Sequence, residues 1–172
     1  MREPQGAIIS DCEHYRYHLW RTLNCGKNDA LFVMLNPSTA DASEDDPTIR
    51  RCMGYAREWG CHSVHIVNLF AWRSTDPKNL PTVADPVGLL NKEHIVRVAH
   101  EVLGPRYEGG KDIVVCAWGT HGTLMDQDRT VYGWLEEAGV TPKCLRLTKD
   151  GHPAHPLYLP KDLKPIPFEV RA

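Results

Sequence analysis

The chain has 172 residues, enough to bury one sizeable core, and its 42% hydrophobic and 24% charged residues are ordinary globular values. Its formal net charge of −2 excludes a blanket electrostatic attraction to nucleic acid or anionic membrane. The N-terminus lacks a basic-then-apolar signal pattern, and no apolar run approaches the roughly 18 residues of a membrane span. A single cytoplasmic domain over residues 1–172, without a membrane partner, is therefore expected.

Residues 6–10 (GAIIS) and 14–22 (HYRYHLWRT) are short and rich in aromatic or β-branched residues. With a polar turn between them they predict a β-hairpin. Residues 31–35 (LFVML) are continuously apolar, the mark of a strand covered on both faces. Asp46-Pro47 then opens a helix, with Asp46 as N-cap and Pro47 at the first helical position. Ile49, Met53, Ala56 and Trp59 recur at helical spacing before Gly60.

Residues 63–67 (SVHIV) predict the next strand, ending at Asn68. Asp85-Pro86 repeats the helix-start pattern; Leu90, Val98, Val102 and Leu103 line the predicted helix, and Gly104-Pro105 ends it. Residues 112–117 (DIVVCA) predict a strand stopping at Trp118-Gly119. A helix near 124–138 and a strand at 143–147 (KCLRL) follow, then a proline-rich loop. Strands alternating with helices imply an α/β fold whose parallel sheet is covered on both faces.

The six cysteines are expected to be thiols in a reducing compartment. None forms a CxxC pair, so neither a metal site nor a cofactor is expected. Charge is uneven: residues 42–46 are acidic, while 141–172 hold six Lys/Arg against three Asp/Glu.

In open α/β sheets ligands bind beyond the carboxyl ends of the strands. Here those ends carry Asn36-Pro37, Asn68 followed by Leu69-Phe70, Trp118-Gly119-Thr120-His121, and a loop with His152 and His155 each before proline. An Asn after a strand is ordinarily a turn residue bonding its own backbone. Four such ends together instead suit a flat, neutral, hydrogen-bonding ligand, because a carboxamide can read a base edge with a donor and an acceptor at once. The sequence has no GxGxxG, no P-loop and no GxSxG elbow.

The blocks LNPSTAD, DDPTIRRC, VNLFAWRSTDP, AWG and GHPAHPLYL together resemble the family grouped as domain of unknown function 1643. In the same order they also resemble the uracil-DNA glycosylase superfamily. That second resemblance implies a three-layer α/β/α sandwich with a central, mostly parallel four-stranded sheet, here preceded by the N-terminal hairpin. It implies that Asn36, before Pro37, positions an attacking water, that Asn68 hydrogen-bonds the base edge, and that His155 stabilises the departing base. Leu159 takes the position of a duplex wedge.

Around these catalytic candidates, Asn36 and His155, the expected substrate-binding set is Asn68, Pro37, Ser38, Phe70, Trp118, Gly119, Tyr158 and Leu159. The sequence departs from the superfamily at Met34, where its first motif has glycine, and at Tyr158, where its last has proline. The stacking aromatic has three candidates by position: Phe70, Tyr55 and Trp118. The expected function is a nucleobase-recognising protein, in its enzymatic form a DNA N-glycosylase acting on an unusual or modified base. Its expected partner is DNA or a nucleobase-containing small molecule. Two other classes stay open: a non-catalytic binder of nucleobase, nucleotide or modified DNA, and a hydrolase or transferase of free nucleosides.

Overall fold

In the computed structural model, which describes residues 4–104 and 113–171, two antiparallel strands open the chain, β1 (Gln5–Ile9) and β2 (Arg16–Thr22). The apolar run becomes β3 (Asn28–Met34), followed by helix α1 (Pro47–Glu58) and strand β4 (Cys61–Asn68). A 3-10 helix (Pro77–Thr82), helix α2 (Asn91–Leu103) and strand β5 (Ile113–Cys116) come next. Helix α3 (Gln127–Glu137), strand β6 (Lys143–Cys144) and strand β7 (Ile166–Pro167) complete the order.

The seven strands of the described residues form one mixed sheet, ordered β1-β2-β4-β3-β5-β6-β7. The pairs β4/β3, β3/β5 and β5/β6 are parallel, and β1/β2, β2/β4 and β6/β7 are antiparallel. Leu31 and Val33 pack with Ile95, Val98, Val131 and Leu135, from α2 and α3. Their neighbours Phe32 and Met34 pack with Ile49, Cys52 and Ala56 of α1. The continuous apolar pattern of β3 thus feeds two cores, one on each side of the sheet.

The mixed α/β character expected from alternation is present, but the sheet is wider than four strands. The hairpin does not merely precede it: β2 pairs with β4, with Leu19 opposite Ile66. Asp46 does cap α1, its Oδ1 accepting from the Ile49 N–H at 2.9 Å. Asp85-Pro86 does not open α2. Asp85 Oδ1 accepts from the Gly88 N–H at 3.0 Å, Gly88 has φ +89°, and the helix starts only at Asn91. The same chemistry starts the 3-10 helix instead, where Asp76 Oδ1 accepts from the Lys78 N–H ahead of Pro77.

Helix α3 begins later than expected because Met125 and Asp126 hold φ of 58° and 51°, which no helix accommodates. Strand β6 is two residues long rather than five, because the chain beyond it folds back and Ala154 N–H donates to Arg146 O. Pro105 and Asp112, the expected helix end and strand start, lie outside the described residues.

Candidate functional site

Strand order sets where a ligand can sit. From β3 the chain crosses to β4 on one side, and the later strands β5 and β6 lie on the other. A crevice opens beyond the carboxyl ends of strands at such a reversal. A cleft of about 590 Å³ lies there, lined from β3 by Met34, Asn36 and Ser38, from β4 by Asn68, and from beyond β5 by Trp118, Gly119 and His121. The segment after β6 supplies Thr148, His155, Leu157 and Tyr158; the amino end of α1 supplies Asp46 and Thr48; β2 supplies Arg16. The volume lies within the roughly 300–1,000 Å³ typical of small-molecule clefts.

The two carboxamides are held differently. Asn36 donates through Nδ2 to Ser74 O (2.8 Å) and to Pro37 O (3.1 Å). Only the NH2 end of an amide can donate to carbonyls, so its Oδ1 is the end left to accept. Asn68 is 2% exposed, and neither its Nδ2 nor its Oδ1 has a hydrogen-bond partner. Its backbone carbonyl, by contrast, is engaged: Asn68 O accepts from Asn91 Nδ2 at 2.9 Å. A buried carboxamide with both ends unpartnered costs the fold free energy, because it gave up water and gained nothing.

His155 lines the same cleft and is half-buried. Its Nδ1 accepts from the Leu157 N–H at 3.2 Å, so a neutral ring carries its proton on Nε2. Burial pushes the imidazole below the ordinary histidine value, against the opposing pull of Asp46. The tail is tied in place by the Gly119 N–H donating to Pro153 O at 2.8 Å. Gly119 has φ +74° and ψ −165°, a conformation essentially reserved for glycine.

Trp118 is buried, with its indole Nε1 unpartnered and its ring meeting Phe168 edge-on at 5.8 Å. Gly122 permits this packing: a Cβ there would lie 2.2 Å from Trp118 Cδ1.

Of the expected site residues, Asn36, Ser38, Asn68, Trp118, Gly119, His155 and Tyr158 line the cleft. Pro37, Phe70 and Leu159 do not. Pro37 is buried beside it, its carbonyl accepting from the Ser74 N–H. Phe70 belongs to the core under α2 and α3. Leu159 packs in the α1 core, and its carbonyl accepts from Arg51 Nη2, so it cannot act as a wedge there. The exposed residue of that segment is Tyr158, at 86%. Among the three candidate stacking aromatics only Trp118 reaches the cleft. Met34 fills part of its floor, where a glycine would leave room.

The family model described as "Protein of unknown function (DUF1643)" matches residues 16–157. The chain belongs to this family. No curated protein gives a significant match, and no solved structure does. In this DUF1643 chain the matched span begins at Arg16 and includes Asn36, Asn68, Trp118 and His155; Tyr158 and Leu159 fall just beyond it.

Two charged cleft residues, Asp46 and Arg16, carried no functional expectation from sequence. Asp46 announces itself as a helix cap and nothing more. Arg16 sits in an aromatic-rich strand, HYRYHLW, where alternation suggests an outward, solvated cation. It is instead 2% exposed, donating through Nη1 to Ala40 O at 2.7 Å, with Nε unpartnered. Burial pushes its guanidinium down to about 10 and outweighs the attraction of Asp46.

Proposed function

We propose that this protein recognises a nucleobase in the cleft at the carboxyl ends of β3, β4 and β5, and that its enzymatic form is a DNA N-glycosylase acting on an unusual or modified base. One observation carries the reading: Asn68, buried in the cleft wall, has both its donor and its acceptor without a partner. A base edge presents the complementary pair, and supplying it relieves that penalty. The order of the parallel strands, β4-β3-β5-β6, and the placing of α1 opposite α2 and α3 support a uracil-DNA glycosylase-like reading of the fold.

In this reading Asn36, its amide nitrogen engaged by two carbonyls, offers Oδ1 to a water beneath the sugar. An amide orients water but hardly deprotonates it, so bond breaking runs ahead of water attack. His155 donates from Nε2 to the base carbonyl as negative charge grows on the leaving group. Trp118 supplies an aromatic wall, and exposed Tyr158, which also lines the cleft, is free to contact a duplex from which a base is flipped.

The test is incubation with oligonucleotides carrying uracil, hypoxanthine or modified pyrimidines, followed by alkaline cleavage. At least one is expected to give abasic product, reduced about 10²–10³-fold in His155→Ala by loss of one oxyanion donor. No product from any of them at high enzyme excess would retire the enzymatic form. A non-catalytic binder is favoured by a separate observation. Among the described residues Asp46 is the only carboxylate lining the cleft, and with Oδ1 committed to the α1 cap it has one oxygen left for proton transfer. That reading expects retention of a base or nucleoside, abolished in Asn68→Ala, without turnover.

A further inference from the structure

Arg16 is the first residue of β2 and reaches the cleft from outside the parallel strands. Its backbone N–H donates to Ala71 O at 2.9 Å, which docks the hairpin beside the end of β4. From there its side chain enters the cleft wall and is anchored by the single bond from Nη1 to Ala40 O. Nε has no partner, and among the described residues no ion pair engages the guanidinium. Asp46 faces it only through space.

A buried cation without a contacting counter-charge is a poor way to stabilise a fold; a well-packed apolar side chain would do as well or better. The arrangement becomes favourable once something in the cleft carries negative charge. The guanidinium edge formed by Nε and Nη2 matches the paired oxygens of a carboxylate or phosphate, and it is the edge opposite the anchored Nη1. The amino end of α1, whose Thr48 and Ile49 also line the cleft, adds the positive end of a helix dipole to the same wall. His155, held neutral with its proton on Nε2, and Trp118 Nε1 are further donors.

We infer that the ligand carries an oxyanion gripped by Arg16. This rests on the nucleobase reading only for the rest of the ligand. Under it the oxyanion is either the phosphate of a nucleotide or a carboxylate on the base ring. The hairpin then acts as a specificity element, selecting charge where Asn68 selects the base edge.

The experiment is calorimetric titration of the full chain at fixed ionic strength. The ligands are pyrimidine deoxynucleosides, their 5′-monophosphates, their 5-carboxy derivatives, and two base-free anions, ribose 5-phosphate and benzoate. One anionic class should bind at least about tenfold more tightly than its parent nucleoside, the scale of a charge-assisted hydrogen bond. Arg16→Gln should bring the two affinities within about threefold, the residue left when one such bond is removed. Arg16→Lys, which keeps the charge but loses the fork, should fall between them and reads the effect if the glutamine variant does not fold, as judged by circular dichroism.

Gain with the monophosphates identifies phosphate as the source; gain with the 5-carboxy compounds identifies the ring carboxylate. If base-free anions bind as tightly and depend on Arg16, the oxyanion stands and the nucleobase reading falls. If nucleosides bind and their anionic derivatives gain nothing, or gain equally without Arg16, the oxyanion inference falls and the nucleobase reading stands. No binding by any compound overturns both.

Discussion

Replacing Asn68 with leucine should make the protein more stable while ending ligand binding. Leucine repeats the branching at Cγ with a modest increase in volume. The exchange removes two polar atoms that are buried and unpartnered. Each such atom costs about 1–3 kcal/mol, and a net gain of about 2 kcal/mol is expected after imperfect packing. In a domain of this size that raises the melting temperature by about 4–8 °C. The control is Asn91→Leu. Asn91 is as deeply buried, but its Nδ2 donates to Asn68 O and Leu69 O at 2.9 and 3.0 Å. Losing those two bonds, partly offset because the buried, unpartnered Asn91 Oδ1 goes with them, should cost about 1–2 kcal/mol and lower the melting temperature by about 2–8 °C. The two substitutions, identical in chemistry and 23 positions apart, should move in opposite directions. Differential scanning calorimetry on both variants decides it. If Asn68→Leu melts as low as Asn91→Leu, the Asn68 carboxamide is satisfied within the fold, and the case for a base edge opposite it is lost.

Four further outcomes are expected. Asp46→Ala removes the α1 cap and should cost about 0.5–2 kcal/mol in urea unfolding; an unchanged midpoint would mean that the Ile49 N–H bond contributes nothing. Gly119→Ala forces a side chain onto φ +74°, ψ −165°; it should destabilise by about 1–3 kcal/mol and weaken ligand binding, because the same residue ties the His155 segment to β5. His155 is depressed by burial, so its contribution to stability is complete above the unfolded value near pH 6.5 and declines as pH falls through the folded value. Subtracting the stability curve of His155→Gln should isolate that decline, since His94, shifted in the same direction, is common to both proteins; a flat difference between pH 7 and 5 would contradict it. Finally, a thiol reagent should modify Cys12 and Cys25 rapidly in the native protein, and Cys52, Cys61, Cys116 and Cys144 only after denaturation. Burial raises three of these, Cys144 to about 11, so rapid native labelling of more than two thiols would show that the cores open readily.

Much of the cleft was legible because its residues follow directly on strands with a strong local signature. Asn36, Asn68 and Trp118 each end an apolar run, and parallel pairing carries such ends to one rim. The misjudged elements share the opposite property. Asp85-Pro86 has the chemistry of a helix start, but Gly88 at positive φ breaks the helical path before it forms. In the HPLYLP segment, spacing alone could not tell which of Leu157, Tyr158 and Leu159 turns outward. That depends on α1: Arg51 and the Tyr55 hydroxyl donate to the carbonyls of Leu159 and Pro160 and draw Leu159 inward.

By itself, then, the sequence determined what kind of layered domain this is, where α1 begins, and which polar groups terminate its strands. Those properties come from the chain's hydrophobic period and from capping bonds that close within three residues. Only the tertiary structure decided that Arg16 is buried in the same cavity as Asn68 and His155, and that Phe70 and Leu159 are not in it. A side chain's surroundings there are set by strands and loops distant in sequence, through the pairing of β2 with β4 and the docking of the tail on α1. No local pattern encodes which of two faces such a contact will cover.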